Sequence, residues 1–260
     1  MLPFQYTWLI WSSAFLIPWI GLFVAFPRHR KAMWWTSVAT MPFGLTEPLF
    51  VPEYWNPPSL FNLAQRTGFD IESLIFCFAI GGVGVVLYNI ITGQRLEPLP
   101  PTSPSPPLPL PPPLVLASPF IVFLLLVWLP WNAIYPGTIA MAVGAVASIW
   151  CRPDLKWKSW IGGGLFLGYY VVFLLGLELT APGYIQRVWN HDVLTGFHII
   201  GFPVEEVLFA FTFGMYWTGA YEHVAWHQAV PTQSSRRTGF ATRNRSRCSA
   251  DGSTSRESSP

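Results

Sequence analysis

GFPVEEVLFAFTFG at residues 201–214 repeats, with changes, the earlier stretch GFDIESLIFCFAIG at residues 68–81. The two stretches share Gly, Phe, Glu, Phe, Phe and Gly at the same positions. In this alignment Tyr88 is paired with Tyr221. Three residues out of register, Pro52-Glu53-Tyr54 is paired with Pro182-Gly183-Tyr184. Self-similarity of this kind is typical of an internal repeat. The sequence therefore predicts two parallel halves, with the functional centre between them.

The composition indicates a protein that lies in a membrane. Of the 260 residues, 52% are hydrophobic, 17% are aromatic and 11% are charged, whereas about 25% of residues are charged in a typical soluble domain. Too few polar side chains remain to cover a water-facing surface, so the class of soluble globular proteins is excluded. The three cysteines, Cys77, Cys151 and Cys248, lack the spacing of a disulfide framework or a zinc site.

Seven hydrophobic runs are long enough to form membrane-spanning helices, each of which needs about 20 mostly apolar residues. We therefore predict an all-α polytopic membrane protein with seven spans. The predicted spans are residues 4–26, 32–51, 70–92, 114–131, 133–150, 159–181 and 203–226.

The basic residues predict how these spans are oriented, because cytoplasmic loops collect Lys and Arg. With the N-terminus outside and the C-terminus cytoplasmic, all fifteen Lys and Arg residues except Arg66 and Arg187 lie on the cytoplasmic side. Proline dominates the segment after the third span, which predicts an extended polyproline spacer. The predicted domains are a first three-helix repeat (1–95), a proline-rich linker (96–113), a linking transmembrane helix (114–132), a second three-helix repeat (133–227) and a disordered basic tail (228–260).

Acidic residues gather at the outer ends of the repeated spans. Glu47 and Glu178 lie near the outer ends of spans two and six, while Glu72 and Glu205 lie in the first turns of spans three and seven. Ionisable groups at membrane depth are costly and usually functional. Carboxyl groups that share apolar surroundings hold protons more tightly, which makes a neutral carboxylic acid available near pH 7. A structural role at a helix N-terminus explains Glu72 and Glu205 equally well, but it does not explain Glu47 and Glu178.

Several classes of membrane protein lack sequence support. A retinal-binding receptor is excluded because all three lysines lie in predicted inner loops, and the aspartate-rich magnesium motif of a membrane prenyltransferase is missing. His223 and His227 have the spacing of metal ligands, but no second pair completes a site. No dinucleotide-binding fingerprint follows a strand. We predict no metal, no cofactor and no nucleic-acid partner.

Pro203-Val204-Glu205-Glu206 and Leu208-Phe209 open the seventh span, after Trp189 and Asp192 on the preceding loop. With this pattern the second half resembles the lycopene cyclase domain of the small helical, flavin-independent carotenoid cyclases. The resemblance covers residues 162–222 and reaches the first half only through the repeat. It implies an integral protein of the cell (inner) membrane and a lycopene β-cyclase type of activity, classed as an intramolecular lyase or isomerase. The first half departs from the pattern with DIES at residues 70–73, and it adds the stretch TEPLFVPEYWNPPSLF at residues 46–61.

The implied reaction closes a ring at the end of a linear polyene by protonation and deprotonation, without net redox change. It needs a proton donor, a base and a cation shielded from water. We predict Glu205 as the donor, Glu206 as its partner or the returning base, and Glu72 and Glu47 as supporting carboxyl groups. The predicted substrate-binding residues, several of which offer aromatic faces to the cation, are Pro203, Phe209, Phe213, Trp217 and Phe76.

The predicted partners are the lipid-soluble polyene, which would enter sideways between helices, and the surrounding membrane lipids. The sequence leaves homo-oligomerisation open. Two other functions also stay open: the divergent first half is compatible with cyclisation of another carotenoid or isoprenoid, and the carboxyl groups are compatible with a proton or cation path in a small transporter.

Overall fold

The computed structural model describes residues 2–98, 111–225 and 227–231. Most of the predicted proline-rich linker (96–113) and of the predicted basic tail (228–260) lies outside the described residues, so both stay predictions there. Within the described parts the protein is mostly helical, in agreement with the predicted all-α class. The α-helices are Thr7–Ala14 (α1), Leu16–Ala25 (α2), Arg30–Thr40 (α3), Leu63–Thr67 (α4), Ile71–Ile91 (α5), Pro112–Leu126 (α6), Ile134–Cys151 (α7), Lys156–Thr180 (α8), Tyr184–Val188 (α9) and Val204–Ala225 (α10).

Short elements connect these helices. The 3₁₀ helices are Phe4–Tyr6, Pro27–His29, Met41–Leu49, Leu60–Asn62, Pro153–Leu155 and His191–Val193. The strands are Gln94–Pro98 (β1), His198–Ile199 (β2), Phe202–Pro203 (β3) and His227–Pro231 (β4). Antiparallel pairing joins β1 to β4 and β2 to β3.

Four helical stretches are long and apolar enough to cross a membrane: Phe4–Ala25, Ile71–Ile91, Ile134–Cys151 and Pro153–Thr180. They correspond to the first, third, fifth and sixth predicted spans. The sixth predicted span corresponds to α8, which has 25 residues. This length exceeds the roughly 20 residues that a span requires. The seven-span arrangement, the parallel repeat and the orientation stay predictions.

The other three predicted spans have features that separate them from these four. The second is divided, because α3 ends at Thr40 and the chain continues as a 3₁₀ helix that contains Pro48. Proline supplies no backbone N–H, so it does not support a regular α-helix at this point. The fourth forms α6, which has only 15 residues. The seventh forms α10, which has 22 residues but includes three glutamates.

The two related stretches form the central helices of the fold. α5 carries the first and packs against α1, α2 and α3, while α10 carries the second and packs against α7 and α8. The two helices also contact each other. The final glycine of each stretch permits close packing: a Cβ on Gly81 would lie 2.7 Å from Cβ of Thr40, and one on Gly214 would lie 2.6 Å from Cβ of Phe166.

Two loops join the halves at the end of the bundle where α5 and α10 begin. Trp55 and Trp189 form an isolated antiparallel bridge. The amide of Asn56 donates to the carbonyl oxygen of Val188 at 2.8 Å, and the amide of Asn190 donates to the carbonyl oxygen of Tyr54 at 3.0 Å. These bonds hold the segment after the 3₁₀ helix Met41–Leu49 against the segment after α9.

The opposite end of the bundle is joined by β1 and β4, which pair from Gln94 with Pro231 to Pro98 with His227. Residues 228–231 were predicted to belong to a disordered tail, and the structure corrects this prediction. Their backbone groups find hydrogen-bonding partners in β1, which the polar composition of the tail did not reveal.

Candidate active site

An apolar cavity of about 440 Å³ lies between the two halves. It is bounded by the 3₁₀ helix Met41–Leu49 and by α5, α6, α7 and α10. Most of its wall is aromatic or aliphatic, as shown by Phe43, Phe50, Trp55, Phe76, Ile80, Phe120, Phe123, Met141, Phe209, Phe213 and Trp217. Such a lining excludes water and presents aromatic faces to a bound molecule.

Among the described residues that line this cavity, Glu47 is the one with a carboxyl group. Its side chain is buried, and its Oε1 atom has no hydrogen-bond partner among the described residues. The backbone around it is fixed, because its carbonyl oxygen accepts hydrogen bonds from the amides of Phe50 at 2.8 Å and Val51 at 2.9 Å. A carboxyl group in this position can exchange a proton with a molecule in the cavity.

Glu206 is held in a hydrogen-bond network between the halves. Its Oε1 accepts hydrogen bonds from the hydroxyl of Tyr54 and from the indole N–H of Trp189, the latter at 2.8 Å, while its Oε2 accepts one from the hydroxyl of Tyr170 at 2.6 Å. Burial, reinforced by the neighbouring Glu206 carboxylate, raises the pKa of Tyr54 well above its ordinary value, so this hydroxyl keeps its proton and donates. With three donors, Glu206 connects the loops that contain Tyr54 and Trp189 to α10 and α8.

The side chain of Glu205 has different hydrogen-bond partners from those of Glu206. Its Oε1 accepts hydrogen bonds from the hydroxyl of Tyr135 at 3.0 Å and from the backbone amide of Thr195 at 2.8 Å. Its Oε2 is buried and has no hydrogen-bond partner in the part of the chain that the structure describes. The carboxylate therefore joins the start of α10 to α7 and to the loop before β2.

Glu72 and Asp70 organise the start of α5. Asp70 caps the helix, because its Oδ1 accepts a hydrogen bond from the amide of Ser73 at 2.5 Å. Glu72 is fully buried, and its Oε1 accepts a hydrogen bond from the amide of Leu60 at 2.7 Å. Glu178 plays a similar part in the other half, where its side chain accepts hydrogen bonds from the amides of Gly183 and Ile185.

The structure brings together only part of the predicted site. Phe76, Phe209, Phe213 and Trp217 line the cavity, together with Glu47. The other predicted residues, Pro203, Glu72, Glu205 and Glu206, are not among its lining residues. Pro203 lies in the short strand β3, directly before α10.

Sequence reasoning missed the tyrosines that donate hydrogen bonds to Glu205 and Glu206 at the start of α10. The alignment of Pro52-Glu53-Tyr54 with Pro182-Gly183-Tyr184 singled out Tyr54, but not its partner. Tyr135 and Tyr170 lie in apolar helices and carried no signal of their own. Their role depends on contacts between helices, which a single sequence does not specify.

No group of three His, Cys, Asp or Glu side chains that could hold a metal ion occurs in the described parts of the chain. The imidazole Nδ1 of His223 lies 3.3 Å from the carbonyl oxygen of Gly219, within its own helix. The side chain of His227, the second member of the suggested ligand pair, lies outside the described side chains. In the segment between α9 and α10, the rings of His191 and His198 stack with their centroids 5.6 Å apart.

Residues 132–224 match the family model described as lycopene cyclase. This match confirms the resemblance seen in the sequence, and it covers α7, α8, α9 and most of α10. No curated protein matches the chain, and no solved structure does.

Proposed function

We propose, from the match of residues 132–224 to the lycopene cyclase family, that the protein is a carotenoid cyclase of lycopene type that works within the cell (inner) membrane. The observation that carries the proposal is the position of Glu47, a buried carboxyl group in the wall of an aromatic cavity. The proposed reaction is an intramolecular ring closure at the end of a linear polyene, of the β-cyclase type, and it uses no cofactor.

Glu47 in its protonated form is the proposed proton donor. Its proton is transferred to the terminal alkene, which leaves a tertiary cation at the neighbouring carbon. The π electrons of the next double bond in reach then attack this cation and form the ring bond. The resulting ring cation loses a proton from an adjacent carbon to the Glu47 carboxylate, which leaves a ring double bond and restores the acid. Atoms and electrons balance without an oxidant or reductant.

The aromatic wall is the proposed stabiliser of the cation. A cation over the face of an aromatic ring is stabilised by up to about 2 kcal/mol when water is excluded. The rings of Phe209 and Phe213 lie 5.8 Å apart, and those of Phe213 and Trp217 lie 6.1 Å apart, so α10 presents a continuous aromatic surface to the cavity. These rings offer no nucleophile that would capture the cation.

The other glutamates have a supporting role in this proposal. Glu205, which the sequence suggested as the donor, is bonded to Tyr135 and Thr195 and does not line the cavity. Glu206 and Glu72 are likewise bonded to groups outside the cavity. We therefore assign proton transfer to Glu47, and we assign to Glu205, Glu206 and Glu72 the positioning of the loops at this end of the bundle.

The substrate would reach the cavity sideways from the bilayer. Phe120 and Leu124 of α6 line the cavity and are also 42% and 60% exposed, so the cavity wall continues onto the outer surface of the helix. A long polyene can place one end beside Glu47 while the rest of the chain remains among membrane lipids. The end group, not the whole molecule, must fit the 440 Å³ volume.

The proposal is tested by expressing the full chain in bacteria that accumulate lycopene and separating the extracted pigments by chromatography and absorption spectrum. New monocyclic or bicyclic carotenes are expected. Glu47→Gln should lower their yield by about 10²- to 10⁴-fold, the usual effect of losing a general acid. Glu205→Gln is the matched control, because it makes the same chemical change outside the cavity and should leave most of the activity per folded molecule.

Immunodetection of each variant in the membrane fraction separates loss of catalysis from loss of protein. Unchanged lycopene with abundant wild-type protein would reject lycopene as the substrate, and feeding shorter linear isoprenoids would then test the related cyclase activity. Full cyclisation by Glu47→Gln, with none by Glu205→Gln, would return the donor role to Glu205.

A further inference from the structure

A second cavity, of about 640 Å³, lies at the opposite end of the bundle from the glutamate network. It is bounded by the end of α2, the 3₁₀ helix Pro27–His29, the end of α5 and the turn that leads into β1. Arg28, His29 and Asn89 contribute polar groups to its lining, and Phe26 and Ile90 contribute apolar ones. This mixed lining differs from the aromatic wall of the candidate active site.

Two buried side chains at this cavity have polar atoms without partners. Asn89 has no exposed surface, and neither its Oδ1 nor its Nδ2 atom has a hydrogen bond within the described parts of the chain. His29 is 4% exposed, and its Nδ1 atom also lacks a partner there. Buried amide and imidazole groups are normally hydrogen-bonded, and leaving them unpaired destabilises the fold. A bound molecule with both acceptor and donor groups would satisfy them.

The described residues that line this cavity carry one formal charge, which is positive. Arg28 belongs to its lining. Burial, together with the nearby ammonium group of Lys158, lowers the pKa of His29 although a hydrogen bond to the backbone of Gln94 opposes this shift, so the imidazole is neutral at pH 7 and its Nδ1 atom remains available. Arg30, two residues further on, is engaged elsewhere, because its guanidinium donates to the carbonyl oxygens of Phe23 at 2.6 Å and Val24 at 3.2 Å. Arg28 thus remains as the cation of the lining.

We propose that this cavity binds a phosphate group that carries a neighbouring hydroxyl group, as in the glycerol phosphate head group of an anionic membrane lipid or in a free phosphate ester. In this arrangement Arg28 and the Nδ2 group of Asn89 donate to phosphate oxygens. The Oδ1 atom of Asn89 accepts from the ligand hydroxyl. Phe26, which is 38% exposed, and Ile91, which is 59% exposed, offer apolar surface to an acyl chain at the rim.

The test uses the purified full chain in a neutral detergent and three probes: dioctanoyl phosphatidylglycerol, dioctanoyl phosphatidylcholine and inorganic phosphate. Binding is measured by native mass spectrometry and by the rise in the unfolding temperature. Phosphatidylglycerol should bind and stabilise the wild type. Arg28→Gln should bind it about tenfold more weakly, because a hydrogen bond between two charged groups is lost. Lys31→Gln is the matched control, since it removes the same charge from an exposed side chain that does not line the cavity.

Asn89→Leu gives an independent readout, because it replaces the two unpaired polar atoms by an apolar side chain of similar size. Without lipid it should unfold at the same or a higher temperature than the wild type, and its stabilisation by phosphatidylglycerol should be lost. Equal lipid binding by Asn89→Leu and wild type would overturn the proposal, as would equal weakening in Arg28→Gln and Lys31→Gln.

The probes also identify the source of the phosphate. Stabilisation by phosphatidylglycerol alone indicates a lipid head group, whereas equal stabilisation by inorganic phosphate indicates a free phosphate ester. Binding of none of the three probes would refute the site. None of these results depends on cyclase activity, so they stand apart from the test of the proposed function.

Discussion

Replacing Glu206 with glutamine should weaken the junction between the two halves without removing the proposed proton donor. The carboxylate accepts hydrogen bonds from Tyr54 and Trp189 through Oε1 and from Tyr170 through Oε2. A glutamine side chain keeps one acceptor oxygen, so its amide nitrogen faces one of the hydroxyl donors. The loss of one hydrogen bond to a charged group is expected to destabilise the protein by about 1.5–3 kcal/mol. Removal of the buried charge offsets part of this loss, which places the expected change near the lower value.

The measurement is unfolding of the purified protein in detergent, followed by tryptophan fluorescence, for Glu206→Gln, Tyr170→Phe and the double variant. Because the two residues share a hydrogen bond, the double variant should be more stable than the sum of the single changes predicts, by more than about 0.5 kcal/mol. Tyr169→Phe is the control, since the hydroxyl of Tyr169 has no partner among the described residues. It should leave stability unchanged or raise it. Additive effects of Glu206→Gln and Tyr170→Phe would refute the reasoning.

Two further predictions concern helix packing and the buried ion pair of Lys158 with Glu222 of α10. Gly81→Ala should destabilise the protein by about 1–3 kcal/mol because its new methyl group overlaps Thr40, whereas Gly164→Ala, which meets no atom within 4 Å, should be neutral or slightly stabilising in the same unfolding assay. Lys158→Met should destabilise the protein by about 3–5 kcal/mol because it leaves Glu222 buried without its ion-pair partner. Adding Glu222→Leu should recover much of this loss. A double variant no more stable than Lys158→Met would contradict this account.

The helices at the centre of the fold were predictable because the evidence for them is local. The predicted spans 70–92 and 203–226 are apolar and nearly match the bounds of α5 and α10, and the final glycine of each related stretch, Gly81 or Gly214, marks a position where another helix approaches closely. Side chains on such positions would collide with Thr40 and Phe166. A pattern read along the chain was therefore sufficient to locate both helices, although it did not specify their partners.

The division of the second predicted span was missed although its cause is in the sequence. Residues 32–51 are apolar enough for a span, but Pro42 and Pro48 lie in the part that forms a 3₁₀ helix. Average hydrophobicity measures transfer into lipid and takes no account of the backbone N–H that proline lacks. The consequence is functional, because this irregular segment is the one that brings Glu47 to the cavity.

The hydrogen-bond partners of the acids could not be predicted in the same way. Tyr54 lies 152 residues before Glu206, and Tyr135 lies 70 residues before Glu205. Both pairs form only when separate helices and loops meet. The acidic pair Glu205 and Glu206 at the start of α10 was recognisable as a site from the sequence. Whether a carboxylate accepts hydrogen bonds or faces the cavity could be seen only from the contacts in the structure.

These contacts indicate that the proposed activity belongs to both halves together. The match to the lycopene cyclase family covers residues 132–224 and contains Glu206 and Trp189. Glu47 and Tyr54 come from the stretch at residues 46–61, which lies outside that match. The matched half alone would lack the proposed proton donor and would leave Glu206 with one of its three donors missing. If Glu47 is the donor, supplying residues 1–98 as a separate chain should restore cyclisation to residues 111–260, and the same pair of chains carrying Glu47→Gln should not.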